Sequence, residues 1–303
     1  MSGQKSRHFS KRITAFDICL AFVMVLLSIA TIYPFLNVLA ISFNDAYDTI
    51  KGGTYLWPRM LTLANYAEIF KNSSLLMATR NSVLRTVIGM IAGVFCSTMI
   101  AYTLSRRDFM ARRLFSLMFA VTMYVSGGMI PGYILMRNLG LFGTFTVYIL
   151  PGLIGVWNVF VIRSYIDTLP ESIQESARID GANDIVIFTR IVLPLCKPVL
   201  ATVALFVGVG HWNAWFDAYL YNNARPELTT LQYELQKILT AATITLTSAS
   251  DRSAIEQLQR VTHVTPESLK MAMSMLVTAP VLLIYPFLQK YFVTGLTLGA
   301  VKS

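Results

Sequence analysis

The residues of this chain able to do chemistry gather in two stretches, set among long apolar runs. The first is His211-Trp212-Asn213-Ala214-Trp215-Phe216-Asp217, which closes one apolar run, together with Asn158 deep inside the run before it. Polar side chains placed within such runs mark a pathway more often than a lipid-facing surface. Ring faces beside amides and a carboxylate suit a ligand with flat apolar faces rimmed by hydroxyls, as a sugar has. Plainer readings stand beside this one. Trp212 and Trp215 fit an interfacial aromatic belt, Asn158 and Asn213 fit interhelical hydrogen bonds, and Asp217 fits a surface charge.

The second stretch runs from Arg163 through Glu175-Ser176-Ala177 and Asp180-Gly181-Ala182 to Leu193-Pro194. It predicts two short helices at an angle. Thr168 with Glu171 forms a capping-box pattern, and Pro170 sits where a first-turn proline is tolerated. Gly181 after Asp180 stops the first helix, because glycine reaches the left-handed conformation at little cost. Asn183 caps the second, which Pro194 and Pro198 limit. Small Ala177 and Gly181 permit close approach of a partner, and Glu175 offers it a charge. A connector with ordinary caps is the plainer alternative.

Little else is chemically equipped. The chain has no Gly-Lys dipeptide, so the phosphate-cradling P-loop pattern is absent. Its three cysteines and three histidines lack metal-ligand spacing. We expect no catalytic set, no metal and no bound cofactor. The chain is then expected not to be an enzyme, and any energy must come from a partner.

These residues must be positioned by membrane helices. The 303 residues are 55% hydrophobic and 14% charged, with a mean hydropathy of +0.57, too apolar for one soluble core. Charge-free windows long enough to span occur at Ile18–Phe43, Thr86–Leu104, Leu114–Met136, Asn138–Ile162, Pro198–Phe216 and Met271–Gln289. They lack alternating polarity, which excludes barrel strands. The expected fold is all-α and integral to the membrane, a single domain of six spans after a short N-terminal segment (residues 1–15). The first window is longer than a signal-peptide core and reads as a retained span. The short loop holding Arg106, Arg107, Arg112 and Arg113 places both termini in the cytoplasm by the positive-inside rule. The net charge of +9 is dispersed around the spans, which points to anionic lipid and away from nucleic acid. Two outer segments follow, residues 44–79 and 221–270. The second predicts short helices near Glu227–Leu239 and Ala254–Arg260, joined by the Thr/Ser-rich run Thr240–Ser250. These segments read as solvated loops or as a platform for a soluble binding protein.

Glu175-Ser-Ala, Asp180-Gly181-Ala182 and the following Ile191-Val-Leu-Pro194 resemble the EAA loop of ABC importer permeases, with Ser176 where a second alanine is usual. The resemblance implies a type I importer fold and coupling helices seated on an ATP-hydrolysing subunit, through Glu175, Ser176, Ala177, Asp180, Gly181, Ala182, Leu193 and Pro194. Tyr124-Val-Ser-Gly-Gly-Met-Ile-Pro-Gly-Tyr133, Leu139-Gly-Leu-Phe-Gly-Thr144 and the ending from Lys290 to Lys302 are similar to carbohydrate-importer permeases of the LplC and YtcP type, relatives of the smaller maltose permease subunit. That likeness covers nearly the whole chain. It implies a second, different permease, two ATP-binding subunits, a lipid-anchored sugar-binding protein, an oligosaccharide substrate and a bacterial plasma membrane. It also implies a tail, Leu298, Gly299, Ala300, Val301 and Lys302, that reaches the ATPases. A frayed terminus is the alternative for the tail. An ion-driven transporter would call for paired acidic residues or broken helices at mid-membrane, and Asp and Glu are absent from the window centres. An importer of a non-sugar solute lacks the Tyr124–Tyr133 and C-terminal patterns.

Overall fold

Hydrocarbon offers the peptide group no hydrogen bond, so an apolar run in a bilayer closes its own as a helix. The computed structural model describes residues 14–53, 55–71, 73–247 and 264–300, and among them it is built from helices with no strand. In chain order these are α1 Ala15–Ser42, α2 Ala46–Ile50, α3 Ala64–Lys71, α4 Ser73–Ser105, α5 Arg112–Tyr124, α6 Met129–Asn138, α7 Val156–Ile166, α8 Glu171–Ile179, α9 Asp184–Leu195, α10 Lys197–Asn213, α11 Phe216–Asn222, α12 Leu231–Thr247 and α13 Pro266–Ala300. Three are single rods long and apolar enough to span: α1, α4 and the Pro266–Ile284 part of α13. Three more candidate spans are bent pairs, so up to six crossings are present.

The bends have local causes. The window expected as one span at Leu114–Met136 is two helices, α5 and α6, meeting at 117°. Between them lie Ser126, Gly127 and Gly128, and Gly128 has φ +83°, where a Cβ is strained. The window Asn138–Ile162 opens with 3-10 turns over Phe145–Gly152, bends by 49°, and continues as α7 to Ile166. Before α10 the chain turns by 80°. There Ile187–Val192 is wound as a π-helix just ahead of Pro194. A proline removes one amide and crowds the carbonyl four residues back, so the wider turn relieves both.

Two boundaries also move. The second span starts at Ser73, well before the expected Thr86, so Arg80 and Arg85 are helical. The helix expected at Glu227–Leu239 starts at Leu231 and runs to Thr247, into the expected joining run Thr240–Ser250. Ala241 and Ala242 favour helix there, and Thr240 returns its hydroxyl to the Gln236 carbonyl at 2.9 Å. The expected helix at Ala254–Arg260 lies outside the described residues.

The chain divides into two compact units, one drawn from Met1–Ala67 and Asp251–Met275, the other from Glu68–Ser250 and Leu276–Ser303. In the first, α1 opens with a capping box between Thr14 and Asp17. An antiparallel bridge joins Asn44 to Leu61, and buried Asn65 donates to the carbonyls of Ser42 and Asn44, both at 3.0 Å. An 18-residue apolar window of α1 is unburied among the described residues, as a lipid-facing rod is.

The second unit carries the site. Its core gathers Ala101 and Leu104 of α4, Val159 and Ile162 of α7, Ile187 and Val192 of α9, and Val199 and Val203 of α10. On α4 the buried residues Arg85, Gly89, Gly93, Ser97 and Ala101 fall at every fourth position, one stripe down a single face. Small residues there let α10 come close. A Cβ on Gly93 would lie 3.4 Å from the Val207 side chain, and one on Gly89 only 2.4 Å from the His211 ring.

Candidate substrate site and coupling hairpin

At the end of that stripe, where a fifth small residue would continue the pattern, stands Arg85. Its side chain is 2% exposed. Its Nη1 donates to Asp217 Oδ1 at 3.0 Å and to the Ala214 carbonyl at 3.1 Å, and its Nη2 pairs with Asp217 Oδ2. The guanidinium also lies 4.6 Å from the ring centroid of Tyr148, a cation–π distance. Tyr148 is fixed in turn by its hydroxyl, which donates to the Leu228 carbonyl at 2.6 Å. A buried cation in an apolar helix needs such partners, because an unpaired one is costly; they engage both terminal nitrogens, while Nε is buried without a hydrogen bond. Asp217 is in the first turn of α11, where the exposed amides favour a carboxylate, and it accepts from Ala218 N at 2.9 Å.

This ion pair forms one wall of a cavity of about 330 Å³, with Asn158, His211, Tyr148 and Tyr221 among the other walls. Asn158 and Asp217, both predicted, therefore meet in one place. The remaining predicted residues separate from them. Trp212 turns to a different face of α10, against an apolar cavity of about 500 Å³ that Pro280 and Ile284 also line. There its Nε1 donates to the Val277 carbonyl at 2.9 Å. Asn213, the last residue of α10, is exposed. Trp215 packs against the satellite cluster of Val147, Tyr148, Ala218 and Tyr233. Arg85 has no role among the expected site residues. Its place in the four-residue repeat with Gly89 and Gly93 was the signal that could have found it.

The second stretch folds as expected in outline. α8 ends at Ile179, and the stop is Gly181, whose φ is +81°. Gly181 N donates to the Arg178 carbonyl and Ala182 N to the Ala177 carbonyl, both at 2.9 Å, the paired bonds of a Schellman stop. Nothing lies within 4 Å of a Cβ placed on Gly181, so its backbone conformation and not crowding calls for glycine. Asn183 caps α9 by accepting from Val186 N at 2.9 Å. The start of α8 differs from the capping-box expectation. Pro170 is itself the N-cap, with no side-chain bond, and Thr168 donates its hydroxyl back to the Tyr165 carbonyl at 2.6 Å.

α8 has no buried residue. Ala177 and Ala182 pack partly against the α4–α7–α9 core, while Ile179 and Ile185 stand 86% and 72% exposed on either side of the turn. Glu175, Ser176 and Asp180 are exposed as well, Leu193 is half-buried and Pro194 exposed. Beside α8 lies a cleft of about 380 Å³, with Arg107, Arg112, Glu171, Glu175 and Arg178 in its walls. Arg106 braces the hairpin, reaching Asp184 at 2.7 Å, Asp108 at 2.7 Å and the Tyr102 hydroxyl at 3.1 Å. Its hydrogen bond holds the Asp108 carboxyl at about 2, below the ordinary 3.8. Of the predicted tail, Leu298, Gly299 and Ala300 end α13, and Val301 and Lys302 lie outside the described residues. Among the described residues no cluster of His, Cys, Asp and Glu is placed to hold a metal ion.

Residues 85–298 match the family of binding-protein-dependent transport system inner membrane components. Protein LplC of Bacillus subtilis is 36% identical across 100% of both chains. The polygalacturonan/rhamnogalacturonan transport system permease protein YtcP of the same bacterium is 34% identical over 95% of this chain and 98% of its own. Among solved structures, a bacterial ABC transporter involved in import of the acidic polysaccharide alginate has a similar chain. Its TM-score is 0.82 at 26% identity, over 91% of this chain and 96% of that one.

Proposed function

From the premise that this chain belongs to the binding-protein-dependent transport system inner membrane components, we propose that it carries oligosaccharides into a bacterial cell by alternating access, driven through the α8–α9 hairpin. It is a multi-pass carbohydrate ABC permease subunit and not itself an enzyme; hydrolysis is by partner ATPases.

The carrying observation is the hairpin. Ile179 and Ile185 are bare isoleucines flanking a rigid Schellman turn, outside any apolar span. Exposed apolar side chains on a capped, amphipathic element suit a protein partner. Here two ATP-binding subunits grip α8 and α9, with Glu175, Ser176, Asp180 and Gly181 at the contact and Ala177, Ala182, Leu193 and Pro194 setting its shape. The arginines at 106, 107, 112 and 113 support a cytoplasmic position for that face and for both termini. The tail from Leu298 to Lys302 extends toward the same subunits. A second, different permease completes the pathway, which in this chain passes Asn158 and Asp217. A lipid-anchored sugar-binding protein delivers the substrate outside. ATP and Mg stay on the partner subunits.

The test is a proteoliposome holding both permeases and both ATPases. Ile179→Asp and Glu175→Lys should each lower ATP hydrolysis stimulated by the loaded binding protein by about tenfold, the scale of a hot-spot loss. Stimulation at the wild-type level in both variants rejects the hairpin as the joint.

A further inference from the structure

We propose that the cavity beside Arg85 seats one uncharged sugar unit, and that Asp217 sets this preference by cancelling the Arg85 charge. The inference rests on the oligosaccharide-import reading above and specifies the substrate class for this chain's part of the pathway.

Of the residues lining the cavity, the charged ones are Arg85 and Asp217, and they cancel. Arg85 is a poor seat for a substrate carboxylate. Both its terminal nitrogens already donate to Asp217 or to the Ala214 carbonyl, and its face lies on Tyr148. Asp217 is the more accessible partner, 24% exposed against 2%, so an entering ring meets the carboxylate before the guanidinium. A uronate unit would therefore face a like charge with no free cation to offset it, and like charges placed together oppose binding strongly.

The neutral lining groups complete the fit. Asn158, His211 and Tyr221 make no side-chain hydrogen bond to the described residues, although each lines the cavity. An amide, an imidazole and a phenol together donate and accept, as sugar hydroxyls do. Gly152 and Gly210 add backbone without bulk, and Val147, Pro151 and Val207 give apolar wall for the C–H face of a ring. The likeness to an alginate importer and to a polygalacturonan permease points to acidic sugars. The ion pair points the other way.

The experiment uses the complete detergent-purified importer without its binding protein, so that the receptor cannot impose its own choice. It is equilibrated with equimolar pools of neutral oligosaccharides (gluco-, galacto-, manno-, xylo- and arabino-) and of galacturonate and alginate oligosaccharides. Retained sugars are read by native mass spectrometry. Wild type should retain the neutral pool over the acidic one by about tenfold, and Asp217→Asn, which leaves the Arg85 charge unmatched, should erase most of that ratio by gaining uronates. The doubly neutral Arg85→Gln/Asp217→Asn complex should return to the neutral pool. Three results overturn the proposal: uronates retained equally or better by wild type, an Asp217→Asn ratio unchanged, or no sugar retained at all. If the loaded binding protein still stimulates ATP hydrolysis in any of these cases, the importer reading survives and this one does not.

Discussion

Arg85 and Asp217, 132 residues apart in sequence, are joined by a two-pronged ion pair. The guanidinium comes from the long rod α4 and the carboxylate from the short helix that follows α10. The pair, with the Arg85 bond to the Ala214 carbonyl, pins the break between α10 and α11 onto α4. The break thus has one fixed geometry.

Removing the cation should be costly. Arg85→Met leaves Asp217 without its counter-charge and the Ala214 carbonyl without its donor, and should destabilise the subunit by about 3 kcal/mol. Replacing both partners, as Arg85→Met with Asp217→Leu, should recover much of that loss. Thermal unfolding of the purified complex measures both. If the single variant melts with wild type, the pair is not holding α11.

Gly89→Ala tests the close approach of α4 and α10. The added methyl would sit 2.4 to 2.7 Å from three atoms of the His211 ring, so the ring must move. The expected loss is about 1–3 kcal/mol, the range for overpacking a tight contact. His211→Ala in the same chain should relieve it, and a melting series of the four combinations shows whether the two positions couple.

Gly181→Ala isolates the opposite case. Space is open around that position and the strain is purely in its φ of +81°. The cost should be about 1 kcal/mol, confined to the hairpin. Hydrogen exchange should quicken at Ala182 and Gly181, whose amides close the turn, and stay unchanged along α4. Faster exchange spreading into α4 contradicts a local stop.

The Arg106–Asp108 pair predicts a pH response of definite sign. The carboxyl is held at about 2 against an ordinary 3.8. A depressed folded value means that the pair contributes fully above the unfolded pKa. Its contribution fades as pH falls from about 4 toward 2, with no change between about pH 8 and 5. Asp108 is largely exposed, so the stability involved is small. A carboxyl-selective NMR titration should place its midpoint near 2, and Arg106→Gln should move it back toward 3.8. A wild-type midpoint already at the ordinary value refutes the pairing.

What the sequence disclosed depended on the range of each cause. Gly181 and Asn183 act within a few residues, and their roles as stop and cap were readable directly. Apolar runs disclosed that helices must form, since hydropathy is a property of contiguous residues. The interruption at Ser126–Gly128 was invisible to a window that counts charge, because glycine and serine leave a run uncharged while breaking its helix. The π-turn before Pro194 was hidden for a related reason: proline signals an end, and the chain instead passes it by widening. Arg85 was the largest omission. Its meaning lies in Asp217 and Tyr148, which the fold brings to it from other helices.

The 117° elbow between α5 and α6 has its own consequence in a bilayer. A polypeptide arriving in oil must shelter each amide, and an elbow made of Ser126, Gly127 and Gly128 interrupts the ladder that does so. Such a kink is tolerable only against other protein or a water-filled passage. The corner at Ser126, Gly127 and Gly128 is exposed among the described residues, so it calls for a cover that oil cannot supply.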